Sequence, residues 1–151
     1  MTYRENAHLP PEVDRSILVT CISGCVYGLD RATGAFRWGV DLDSRGPVSI
    51  GFRHDVLVVS ASVHELTRLD YATGAVIWKA PTTGAGRATI VVESDCIVCA
   101  KGRYVDCFEL DGRRRWSQTV QGHGEGAIAL AFPGNVVQAD GTWEKPRRIE
   151  P

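Results

Sequence analysis

The sequence predicts an all-β fold, a β-propeller of four-stranded antiparallel blades whose ring is incomplete in one chain, and three observations lead there. The first is a repeated string. Gly28 to Trp38 reads GLDRATGAFRW, Arg68 to Trp78 reads RLDYATGAVIW, and a degraded copy from Cys107 to Trp116 reads CFELDGRRRW. In each, a Thr-Gly or Asp-Gly pair turns the chain and a tryptophan follows four residues past the turn glycine: Gly34 and Trp38, Gly74 and Trp78, Gly112 and Trp116. The second is a shared period. The tryptophans step by 40 and then 38 residues, as do Gly46, Gly86 and Gly124, while Asp55, Asp95 and Asn135 step by 40 and 40. The third is the short apolar segments between turns rich in Gly, Asp and Asn, which read as strands rather than helices. A lone hairpin cannot bury its own apolar face, so a unit of about 40 residues carrying four strands has to stack on copies of itself. That is how a propeller blade is built.

Taken in order, residues 1–13 are polar, contain Pro10 and Pro11, and read as an arm or edge, since proline cannot donate to a sheet ladder. A first unit, about 14–43, holds three strands: Ser16 to Ile22, Cys25 to Leu29 and Phe36 to Leu42. The second, about 44–83, holds four: Gly46 to Phe52, Val56 to Val63, Leu66 to Leu69 and Ala75 to Ala80. The third, about 84–121, copies that order with Arg87 to Val92, Cys96 to Ala100, Tyr104 to Phe108 and Arg113 to Val120. A fourth, about 122–145, starts on schedule with Gly124 to Phe132, continues through Val136 to Ala139 and starts a third strand at Thr142. A charged tail, 146–151, follows.

Composition narrows the class. Of 151 residues, 44% are hydrophobic and 23% charged, the range of ordinary soluble domains. A formal net charge of -1 gives no overall attraction to nucleic acid or anionic membranes, so either would need a local basic patch. The start shows no basic segment leading into an apolar one, and no apolar run reaches membrane-spanning length, so a cytoplasmic protein without membrane contact is expected. Five cysteines, Cys21, Cys25, Cys96, Cys99 and Cys107, fit reduced thiols better than a disulfide framework.

The residues Gly28, Asp30, Thr33, Gly34 and Trp38, and again Asp70, Thr73, Gly74 and Trp78, resemble the tryptophan-docking motif of the PQQ-like (quinoprotein-type) β-propeller repeat family. In that family each tryptophan packs between neighbouring blades, and the resemblance covers most of Asp14 to Ala139. It implies structural docking roles for Gly34, Trp38, Gly74, Trp78, Gly112 and Trp116. Gly28 and Arg68 replace the small residue, usually alanine, at the motif's first position, the third copy has a turn one residue shorter, and the fourth lacks the tryptophan. Docking is therefore expected to be weakest at the two ends. Quinoprotein dehydrogenases resembling this repeat are larger, secreted, and use calcium, a catalytic aspartate and typically an adjacent cysteine pair. No Cys-Cys occurs here, so quinone chemistry is not expected, and neither is any cofactor.

Propellers close with roughly 4 to 8 blades. With about three and a half units, the expectation is a head-to-tail homodimer forming one ring of about eight blades. The alternatives are a compact four-bladed monomer and a ring completed by a different protein.

Candidate sites follow from the frame. Innermost strands crowd at the axis, and Val48, Ser49, Ala88, Thr89, Gly126 and Ala127 are small enough to sit there. Pro47, Arg87 and Glu125 occupy matching places just before these strands but differ in chemistry; with Arg45 and His123 they form a candidate ligand or partner rim, against the plainer reading of solvated loop. GHGEG at 122–126 precedes a strand, so no helix N-terminus is there to hold an anion. Cys96 and Cys99 form a CxxC, but three residues apart on a strand they face opposite ways, which argues against zinc, and no metal site is expected. Lys101, Arg103 and Arg113 to Arg115 make one basic cluster, read as charge protecting an exposed edge rather than as a nucleic-acid site. No Ser-His-Asp or Cys-His order stands out. The functional expectation is a non-catalytic, protein-binding scaffold or assembly subunit, with a small-ligand sensor using a central channel lined by Arg87, Glu125 and His123 as the rival and an enzyme behind both.

Overall fold

A computed structural model describes residues 13–61, 63–124 and 126–139, and every regular element among them is a strand. The arm before residue 13, Glu125 and the tail beyond 139 lie outside the described residues. A first sheet takes β1 (Ile17–Ile22), β2 (Cys25–Asp30) and β3 (Phe36–Asp41) in that order. A second takes β4 (Ser49–Arg53), β5 (Val56–Ser60), β6 (Glu65–Asp70) and β7 (Val76–Pro81). β8 (Ala88–Val92), β9 (Ile97–Lys101), β10 (Tyr104–Phe108) and β11 (Arg114–Thr119) form the third, and β12 (Leu130–Phe132) with β13 (Asn135–Val137) a two-stranded fourth. All pairings are antiparallel between sequence neighbours.

The repeated string folds into a repeated hydrogen-bond network. Asp30 Oδ1 accepts from the backbone N–H of Ala32 and Thr33 at 2.9 and 3.0 Å, and Thr33 Oγ1 accepts from Ala35 N at 3.2 Å. Asp70 does the same for Ala72 and Thr73 at 2.8 and 3.1 Å, with Thr73 serving Ala75 at 3.2 Å. An acid at the turn start and a threonine three residues on thus satisfy donors the turn would orphan, which is why Leu-Asp-x-Ala-Thr-Gly-Ala recurs. In the shorter third copy Asp111 Oδ1 accepts only from Arg113 N, at 3.1 Å. The bulge also recurs: pairing slips between Gly28 and Leu29, between Arg68 and Leu69, and between Cys107 and Phe108, just past the residue opposite each tryptophan. A bulge at a fixed place gives each sheet the same extra twist.

The core lies between sheets. Ile17, Val26 and Trp38 of the first pack against Leu57, Val59, Leu69 and Tyr71 of the second. Val58, Leu66 and Ala80 of the second meet Ile90, Ile97, Cys99 and Phe108 of the third. Val91, Val98, Ala100 and Val105 of the third meet Leu130, Phe132 and Val137 of the fourth. Alternate residues of β5 thus face different neighbours, so a strand with both faces buried reads as continuously apolar rather than alternating. β4 packs on β8, and β8 on β12 and β13, which gathers the first strands of successive sheets together. This is the predicted all-β propeller, with its ring unclosed in one chain.

Candidate functional site

The loops that precede β8 and β12 bring Arg87 and His123 to one cavity of about 780 Å3. Arg103, in the β9–β10 turn, joins them there, and its Nη2 donates to the Gly124 carbonyl at 3.3 Å. Arg45 and Pro47 are exposed and do not line this cavity; the Arg45 carbonyl instead accepts from Ser23 Oγ at 3.0 Å, tying it to the first sheet. Glu125 is outside the described residues. Arg103 was the member the sequence hid, because in sequence it belongs with Lys101 and the arginine run.

That run does not act as one patch. Arg113 pairs with Asp111 at 3.3 Å, Arg114 donates to the Pro81 carbonyl at 2.9 Å beside buried Asp106, and Arg115 is fixed by Glu109 at 2.9 Å and Asp95 at 3.6 Å. The Arg115 guanidinium in turn holds the Glu109 carboxyl below its usual range. Lys101 departs furthest from expectation, being 2% exposed with Nζ donating to the carbonyls of Val63 and Glu65 at 3.1 and 3.2 Å. Burial pulls its pKa below that of an ordinary lysine. Lys101 ties the end of β9 to the chain entering β6, since a buried charge persists only when its donors are satisfied.

Cys96 and Cys99 fall into different core clusters, on opposite sides of β9, as their spacing requires. Burial pushes Cys21 up to about 11 and Cys96 and Cys99 up to about 12. Thiols protonated at neutral pH are poor nucleophiles. In a disulfide-exchange assay with Ellman's reagent at pH 8, Cys96, Cys99 and Cys107 are expected to stay silent until guanidinium unfolds the chain. The same shifts carry a sign for stability. A thiol pKa raised above its unfolded value of 9.0 contributes fully below pH 9 and is lost as pH rises toward 12, so stability falls across that interval.

The first sheet presents an apolar face that its counterparts bury. Leu18 stands opposite Leu29 in the slot where Leu57 stands opposite Leu69 and Ile97 opposite Phe108. Leu57 and Ile97 are 0% exposed; Leu18 is 57% exposed, with Phe36 at 74%. At the far end Val136 of β13 is 60% exposed. The turn glycines tell the same story. A Cβ at Gly74 would lie 2.4 Å from the Trp38 ring, and one at Gly112 would lie 2.8 Å from the Trp78 ring, whereas nothing comes within 4 Å at Gly34. Trp38 and Trp78 also donate from Nε1 across the sheet boundary, to the Tyr71 and Leu110 carbonyls, both at 2.9 Å. Trp116 is 46% exposed.

Meandering sheets stacked along their first strands, with a tryptophan laid against the next unit's turn glycine, define a β-propeller of PQQ-like repeats. A family model described as "Outer membrane protein assembly factor BamB" matches residues 22–141, and the chain belongs to this family. No curated protein matches the chain. Among solved structures it is similar to BamB from Moraxella catarrhalis, with a TM-score of 0.61 and 20% identity over 81% of this chain and 40% of that one. Quinohemoprotein alcohol dehydrogenase from Comamonas testosteroni gives 0.57 and 21% over 69% of this chain and 19% of the enzyme. The computationally designed Ika8 protein gives 0.61 and 20% over 79% and 38%. The chain therefore spans well under half the length of each of these structures, and at such identities the likeness is one of fold.

Proposed function

We propose that this chain is a non-catalytic propeller serving as a protein-binding scaffold or assembly subunit in the reducing cytoplasm, its ring finished by a second copy. The observation that carries this is the Leu18 slot: the internal sheets show that position covered twice, always by the preceding sheet, and the first sheet leaves it open. Val136 on the fourth sheet offers the complementary forward face, so one heterologous contact made twice would close a two-fold ring of about eight blades. The description of its family as an assembly factor supports the protein-binding role. Native mass spectrometry is expected to show two chains of 16.5 kDa together, and Leu18→Glu, which alters an exposed side chain, to give a folded single chain. A wild type that flies as one chain at all concentrations would contradict the proposal.

The cavity lined by Arg87, Arg103 and His123 favours a second reading, a small-ligand sensor, for which thermal stabilisation across a metabolite panel is the test.

A further inference from the structure

At the opposite end of β8 from Arg87, where β4 ends at Arg53 and β8 at Val92, a second cavity of about 600 Å3 opens. Its wall draws on all four units: Arg15 and Arg31 from the first, Arg53 and His54 from the second, Val92 from the third and Asn135 from the fourth. Nothing in the sequence pattern puts these residues together, since they stand up to a hundred or more positions apart.

The electrostatics are one-sided. Arg15, Arg31, Arg53 and His54 line it with one acid, Asp14, whose carboxylate already accepts from Ser16 N at 2.9 Å, while the Glu93 carboxylate is held by Nδ2 of the lining Asn135 at 2.5 Å. Arg31 is braced through Nη1 to the Arg15 carbonyl at 3.4 Å. Arg53 Nε is buried and has no hydrogen-bond partner among the described residues. Arg68 Nε, in a residue that does not line this cavity, is unpartnered in the same way, so Arg53 counts here for its guanidinium charge at the cavity wall. His54 adds a separate signal. It holds φ at +53° as the first residue of the turn between Arg53 and Val56, whereas the fourth unit's turn between Phe132 and Asn135 places its left-handed residue second, at Gly134. A side chain kept where glycine would be unstrained points to a use for that side chain. Phe52 and Tyr71, edge to face at 5.5 Å, supply an apolar wall beside the charges.

We propose that this cavity binds a small anion bearing carboxylate or phosphate groups, gripped by Arg53 with Arg15 and Arg31 and contacted by His54. The arginine fork matches either oxyanion in two parallel hydrogen bonds, and the volume falls within the range of small-molecule sites. Every residue invoked belongs to one chain, and Leu18, on the face proposed above to meet a second copy, lines the same cavity, so the titration is run on Leu18→Glu as well as on the wild type.

Isothermal titration of the full chain with pyrophosphate and, separately, with citrate tests this, each against sodium chloride of matched ionic strength. At least one probe is expected to bind saturably at about millimolar concentration or below, and whichever binds identifies the oxyanion. Arg53→Gln is expected to weaken that binding about tenfold or more, and Arg53→Lys, which keeps the charge and loses the fork, to weaken it as well. His54→Gly is expected to raise the melting temperature while weakening binding, a combination that a merely structural turn residue would not give. Absence of saturable binding beyond the chloride control, or wild-type affinity in both Arg53 variants, would overturn the proposal.

Discussion

Trp38→Ala is expected to lower the stability of the folded chain by about 3–5 kcal/mol, measured by guanidinium unfolding. Trp38 is buried, and its ring fills the space above Gly28 and against Gly74, where the first and second sheets meet. Removing it opens a cavity at that boundary that rigid strands cannot close. It also orphans the Tyr71 carbonyl, which now accepts from Trp38 Nε1 at 2.9 Å. Tyr71 in turn clasps β1, its hydroxyl accepting from Ile17 N and donating to Ile17 O, both at 2.9 Å, so the loss reaches two strands beyond the ring. Trp78→Ala should cost less, because Trp78 is only half-buried, and exposed Trp116 least of the three. A loss below about 1 kcal/mol for Trp38→Ala would mean that the tryptophan decorates the boundary rather than holding it.

The second large effect compares two glycines in the same turn. Gly34 and Gly74 have almost identical backbones, at φ of +80° and +79°, so alanine meets the same left-handed penalty in both, about 1–2 kcal/mol. Only Gly74 lies under a tryptophan, and a Cβ there would sit 2.4 Å from Trp38 Cε3. The ring cannot yield without leaving its place between the sheets, so Gly74→Ala is expected to exceed Gly34→Ala by about 1–3 kcal/mol, the usual cost of overpacking. Equal unfolding free energies for the two variants would remove the ring-on-glycine contact from the account.

Much of the fold could be read from the residues because the same local demand is met with the same chemistry each time. An acid, a threonine and a glycine at fixed offsets satisfy one turn, and the turn recurs with the period of the blade. Ring closure lies a step further off, since Leu18 and Leu57 look alike as sequence and differ only in what covers them. The basic residues were harder still. Lys101 and Arg103, two positions apart, read as one charged cluster, yet Lys101 ends β9 buried against the second sheet's carbonyls while Arg103 turns out toward a cavity. The end of the strand and burial separate them, with Lys101 the last residue of β9 and Arg103 in the turn after it, and neither depends on charge. The cavity of Arg15, Arg31, Arg53 and His54 was out of reach altogether, because it is assembled from turns that only stacking brings together.

A second copy is proposed to cover the open face of the first sheet. Sedimentation equilibrium of the purified chain reports it directly, across a concentration series, beside Leu18→Glu as the variant that places a charge on that face. The wild type is expected at twice the 16.5 kDa chain mass and Leu18→Glu at 16.5 kDa with unchanged circular dichroism. A wild type that sediments at 16.5 kDa throughout, or a variant that associates as the wild type does, would contradict closure by self-association.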